Sequence, residues 1–113
     1  MTTFDTGRQA ESAAAEYLKK RGYAIVAQNW RTRWCEIDVI AQKGKVVYFC
    51  EVKYRLTGRQ GGGLEYITPQ KLRQMSFAAE AWVHLSGWKG EYQLAAIEVS
   101  GPGFEITNFV EDI

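Results

Sequence analysis

Histidine, cysteine and excess charge are what this sequence has least of, and each shortage closes off a class of function. There is one histidine, His84. Imidazole-ligated metal nucleases and Ser-His-Asp relays need more than that, because the relay requires a base held by an acid. His84 falls off the apolar stripe of its helix and reads as a surface residue. The two cysteines, Cys35 and Cys50, are too few for a disulfide framework and lack the partners of a structural zinc site. They read as reduced core thiols. Fourteen Lys and Arg stand against 13 Asp and Glu, a formal net charge of +1. Any phosphate binding must therefore rest on a local concentration of cations rather than on an overall field. No apolar run approaches the roughly 20 residues that span a bilayer. The N-terminus, MTTFDTGRQAESAAAEYL, has acidic residues and no apolar core of a secretory signal. The expectation is a cytoplasmic protein with no membrane partner.

What is present is an ordinary globular mixture, 46% hydrophobic and 24% charged over 113 residues. That length suits one domain, residues 1–113, able to bury a core without covalent staples. An Ala-rich apolar stripe predicts a helix from Asp5 to Arg21, capped by Asp5 or Thr6 and ended at Gly22. Strands are expected over Tyr23–Thr32, Trp34–Ala41 and Lys45–Arg55, where β-branched and aromatic residues concentrate. Gln42-Lys43-Gly44 reads as the hairpin turn between the last two. The glycine-rich stretch from Leu56 to Tyr66 reads as a mobile loop. Thr68 as cap and Pro69 at the first helical position open a second helix, closed by Gly87. Strands over Glu91–Ser100 and Phe104–Val110 flank the turn Gly101-Pro102-Gly103. The order is α-β-β-β-α-β-β, an α/β fold.

Chemistry concentrates on the second and third strands. Side chains alternate along a strand, so Glu51, Lys53 and Arg55 share one face. With the turn centred on Lys43-Gly44, Gln42 faces Lys45, Asp38 faces Phe49 and Glu36 faces Glu51. Asp38, Glu51 and Lys53 then lie on one face, with Asp38 diagonal to Glu51; a slip of one residue would separate them. Two such close carboxylates repel, and a hard divalent ion such as Mg²⁺ (or Mn²⁺) relieves the conflict while accepting phosphate oxygens and activating water. Lys53 can offset charge developing on a phosphate. These groups sit in the most apolar strands of the chain, where a merely structural ion-pair ladder is costly. Glu11 lies on the buried face of the first helix with Ala14 and Leu18. It reads equally as a third carboxylate of the site or as a first-turn glutamate favoured by the helix dipole.

At this point the sequence resembles a known superfamily. CEID (Cys35 to Asp38) followed by VVYFCEVKYR (Val46 to Arg55) is similar to the PD-(D/E)XK nucleases. More narrowly, the chain looks like the bacterial YraN family of uncharacterised proteins, related in fold to Holliday-junction resolvases. The likeness spans nearly the whole chain through Gly7 to Glu11, Gly22-Tyr23, Asn29-Trp30-Arg31, Glu36-Ile37-Asp38, Glu51-Val52-Lys53 with Arg55, and Lys71. It implies a restriction-endonuclease-like mixed sheet flanked by helices. It also implies Glu11, Asp38 and Glu51 as metal ligands or their supports, Lys53 as catalytic lysine, and DNA as substrate. A homodimer follows only by analogy of fold. Two departures stand out: Cys35 replaces a usual glycine, and Ala95-Ala96-Ile97-Glu98 replaces a charged pair on the fourth strand.

Around this site, Arg55, Arg59, Lys71 and Arg73 are candidate nucleic-acid contacts, with Arg59 and Arg73 as readily residues of a solvated face. Glu36 reads as a flanking carboxylate or the partner of a nearby arginine. Trp82 reads as core, while Trp30 and Trp34 flank a turn and remain open to stacking on bases. The first expectation is a Mg²⁺-dependent DNA endonuclease. The alternatives are a non-catalytic nucleic-acid-binding module of the same fold and a protein-interaction domain with structural carboxylates.

Overall fold

The computed structural model describes residues 3–56 and 64–113. Arg59 and most of the expected glycine-rich loop lie outside the described residues. The elements follow the expected order: helix α1 (Thr3–Lys20), strands β1 (Ala24–Arg31), β2 (Glu36–Lys43) and β3 (Val46–Arg55), helix α2 (Pro69–Ser86), and strands β4 (Glu91–Ser100) and β5 (Glu105–Glu111). The strands form one five-stranded mixed sheet in the order β1-β2-β3-β4-β5. Every neighbouring pair is antiparallel except β3 and β4, which run parallel. A parallel pair needs a crossover, and α2 supplies it.

Each helix seals one face of the sheet. Ala10, Ala14 and Leu18 of α1 pack on Val39, Ala41, Cys50, Ala95, Ile97 and Val99. The small alanines let α1 lie close to the strands. On the other face, Ala78 and Ala79 of α2 meet Ile40, Val47 and Phe49, with Trp82, Val83 and Trp30 packed against them. Trp82 stands edge-on to Phe49, with ring centroids 5.5 Å apart. The inner strands β2 and β3 therefore bury apolar side chains on both faces. Ala95 to Ser100 are buried without interruption. No helix of the described residues is long and apolar enough to cross a membrane.

Several boundaries differ from expectation for local reasons. Helix α1 starts at Thr3, so Asp5 lies in the first turn instead of capping it. Thr68 caps α2 as expected, accepting the Lys71 amide at 3.1 Å, and Gly87 ends it at φ 76°. Trp34 and Cys35 are not strand. The Thr32 hydroxyl accepts the amides of Trp34 (3.0 Å) and Cys35 (3.2 Å), folding residues 32–35 into a turn. Such side-chain turns compete with the sheet ladder for backbone groups. The same turn holds Cys35 half-buried, so only Cys50 is a core thiol.

The β2–β3 turn sits at Gly44-Lys45, one residue later than expected, with Gly44 at φ 62°. Gln42 consequently faces Val47 and Ile40 faces Phe49. This corrects the expected register by two residues, a shift that preserves which residues share a face in a regular ladder.

Candidate active site

The β2–β3 ladder runs from Lys43 and Val46 only as far as Val39 and Cys50. Beyond that point β2 continues against β1, and β3 against β4. Among the described residues, the two strands part where Asp38 and Glu51 begin. One Asp38 carboxylate oxygen, Oδ2, accepts the Val52 amide at 2.8 Å. A side chain thus takes the place of a ladder carbonyl and props the gap.

At Asp38 the alternation of β2 also breaks. Ile37 packs on the α2 side and Val39 on the α1 side, although regular pleating would put them on the same face. Asp38 lines a hollow of about 430 Å³ with Glu11, Asn29 and Arg31 on the α1 side. Glu51 lines a cleft of about 450 Å³ with Lys71 on the α2 side. The expected single face carrying Asp38, Glu51 and Lys53 is therefore corrected to a gap between two strands. Glu36 lines both hollows and pairs with Arg31 at 3.4 Å, the arginine partner expected for it.

The carboxylates feel one another across this gap. Burial, then the charge of Glu51, pushes the Asp38 carboxyl up to about 7, despite the opposing Val52 hydrogen bond; Glu11 and Glu36 add to the rise. Glu11 is also raised, by burial first and further by Glu36 and Glu51, while a hydrogen bond from Asn29 and the charge of Arg31 oppose it. Its Oε1 atom is buried without a hydrogen-bond partner. Asn29 holds φ 51°, a left-handed conformation that asparagine tolerates better than most residues. That role in orienting Glu11 was not legible beforehand, although Asn29 belongs to the quoted run Asn29-Trp30-Arg31.

The cations are arranged differently from the sequence reading. Lys53 is exposed and forms no ion pair among the described residues. Lys71, reaching over from α2, brings Nζ to 2.8 Å from Glu51 Oε2. Burial alone would lower its pKa. The hydrogen bond and charge of Glu51, with Asp38 and Glu36, outweigh that and raise it. Arg55, expected on a phosphate-binding rim, is held by Glu98, Nε to Oε2 at 2.6 Å, with both side chains largely buried. The Thr107 hydroxyl adds a 3.1 Å bond to Glu98 Oε1. The Arg55 guanidinium also lies 5.7 Å from the centre of the Tyr66 ring.

Tyr66 is a site residue that sequence reasoning missed, because it reads as part of a glycine-rich loop. Its hydroxyl is buried with no partner. Burial, then the charges of Glu51 and Glu98, push it up to about 12. Lys71 was expected as a nucleic-acid contact; its pairing with Glu51, like the placement of Tyr66, depends on contacts between elements distant in sequence.

Hard oxygen donors under mutual repulsion suit a hard divalent ion, and the unpartnered Glu11 oxygen is consistent with one. Among the described residues, no three His, Cys, Asp or Glu side chains converge closely enough to hold a metal ion by themselves. Mg²⁺ needs only one or two carboxylates, completed by water and phosphate oxygens, and the gap offers that.

A family model described as uncharacterised protein family UPF0102 matches residues 10–101. The UPF0102 protein of Chlorobium chlorochromatii is 39% identical over 99 residues, covering 88% of this chain and 77% of that protein. A UPF0102 protein of Leifsonia xyli subsp. xyli is 41% identical over 83 residues, covering 74% of this chain and 70% of its own length. That of Mycolicibacterium vanbaalenii is 39% identical over 95 residues, covering 84% and 77% respectively.

Proposed function

The chain belongs to the uncharacterised protein family UPF0102, and on that premise we propose that it is a Mg²⁺-dependent endonuclease of restriction-endonuclease-like fold, hydrolysing DNA phosphodiester bonds at the gap between β2 and β3. One observation carries this reading: Asp38 lines one hollow with Glu11 and Glu51 lines the other, Glu36 lines both, and the charges of Glu51 and Glu11 both hinder ionisation of Asp38. Repulsion of that kind inside a protein costs stability unless a cation or proton relieves it.

Asp38 and Glu51 would hold the ion, with Glu11 as a supporting carboxylate beside Asp38. When bound, the ion supplies positive charge for the phosphate and activates water. The chain's own groups do the rest. The Val52 amide fixes the Asp38 carboxylate. Asn29 orients Glu11. Lys53, unpaired among the described residues and two positions beyond Glu51, offsets charge on the scissile phosphate. Lys71 neutralises Glu51 until a substrate phosphate or ion competes for it.

The Lys71–Glu51 pair also gives a second reading some support. A cation already occupies Glu51, as expected of a non-catalytic nucleic-acid-binding module. Cleavage separates the two. Purified protein incubated with Mg²⁺ or Mn²⁺ and branched, flapped or single-stranded DNA is expected to cut at least one substrate. Lys53→Ala should abolish the cut while changing unfolding free energy by less than about 0.5 kcal/mol, as for other exposed, unpaired positions. No cleavage of any of these by the wild type would favour the binding module.

A further inference from the structure

The cleft on the α2 side contains more than the carboxylate gap requires. The two most exposed aromatic side chains among the described residues, Trp34 (73%) and Phe77 (55%), both line it. They come from different elements: Trp34 from the Thr32–Cys35 turn and Phe77 from α2. The hydroxyl of Thr32 anchors the turn, and the Arg33 guanidinium lies 4.9 Å from the centre of the Trp34 ring. That arrangement holds the indole while leaving most of it in water. An aromatic side chain of this size is normally buried to the extent of 150–250 Å²; keeping two in solvent across one cleft is unfavourable without a ligand.

Polar groups from α2 line the same cleft. Gln70, Gln74 and Phe77 follow one another at helical spacing on α2, offering amide donors and acceptors beside a ring. The two carboxylates of the cleft, Glu51 and Glu36, are ion-paired to Lys71 and Arg31. Arg73, which also lines the cleft, has no ion pair among the described residues. The local balance therefore favours an anion carrying a flat aromatic group. Glu51 belongs both to this cleft and to the gap, so a strand seated here would lie beside the carboxylates.

We propose that this cleft is a stacking subsite for one unpaired base of a single-stranded nucleic acid, which Trp34 and Phe77 sandwich while Arg73 meets the adjoining phosphate. The inference rests on the nuclease reading for its biological sense, but binding without metal tests it separately. Stacking on an aromatic side chain is sequence-tolerant, since every base has a π-face.

The test is fluorescence anisotropy of a labelled oligothymidylate and of a duplex of equal length, in buffer free of divalent ions. Wild type is expected to bind the single strand more tightly than the duplex. Trp34→Ala should weaken single-strand binding by roughly 5- to 150-fold, the range for loss of one stacking platform, and leave duplex binding unchanged. Trp34→Phe should recover most of the loss, which a disturbed fold would not allow. Arg73→Ala should weaken both ligands. The proposal is overturned if Trp34→Ala binds oligothymidylate as wild type does. It is equally overturned if wild type shows no preference for the single strand, as an apolar peptide-docking cleft would behave. Failure of metal-dependent cleavage would leave these results standing, so the two readings fall separately.

Discussion

Burial and Glu51 make Asp38 harder to ionise in the folded protein than in the unfolded chain, so its contribution to stability has a definite sign. The carboxyl titrates at about 7 when folded, against an ordinary 3.8. Between those values the folded state binds more protons, so stability falls as pH rises through that window. Below it the group costs nothing, and above it the penalty is at most on the order of 4 kcal/mol. Asp38→Asn removes the charge but keeps an oxygen for the Val52 amide. The variant should gain stability at pH 8 and gain nothing at pH 4, as read by denaturant unfolding at both. Arg55 makes the opposite case. Arg55→Ala strands the buried Glu98 carboxylate, and is expected to cost about 3 kcal/mol in the same assay. The contrast was only half legible beforehand. Glu51, Lys53 and Arg55 share a face by alternation, but which of them finds a partner depends on Glu98, over forty residues away in sequence.

At the scale of elements, the local signals that proved readable were those with a single chemical meaning. Thr68-Pro69 specifies a helix start, and Gly87 its end, from their own backbone preferences. Thr68→Ala should cost about 1 kcal/mol, the usual value of a lost cap, measurable as a lowered melting temperature with no change in near-ultraviolet signal. Where several neighbours suit a turn equally, the reading slipped. Gln42, Lys43, Gly44 and Lys45 offer two adjacent solutions, and the structure takes the later one, with Gly44 at φ 62° in the first turn position. The strand expected at Trp34 failed for another reason: the Thr32 hydroxyl captures two amides that a ladder would otherwise use. That turn carries Trp34, which lines the cleft.

For the whole molecule, the order of elements and the apolar centre of the sheet were legible because they depend on periodicity alone. The parting of β2 and β3 was not, since it depends on a carboxylate replacing a backbone acceptor and on two helices pressing opposite faces. That parting converts an expected flat array of charges into a gap flanked by two hollows. The proposed ion binding would be a property of the folded chain, because Glu11, Asp38 and Glu51 come from three different elements. An ion that binds the folded state alone must stabilise it in proportion to its occupancy. Calorimetric titration with Mn²⁺ tests this most directly. The wild type is predicted to bind an ion that raises its melting temperature, and Asp38→Asn and Glu51→Gln each to lose both effects while remaining folded. Equal Mn²⁺ binding by wild type and both variants, or none by the wild type, would contradict the account.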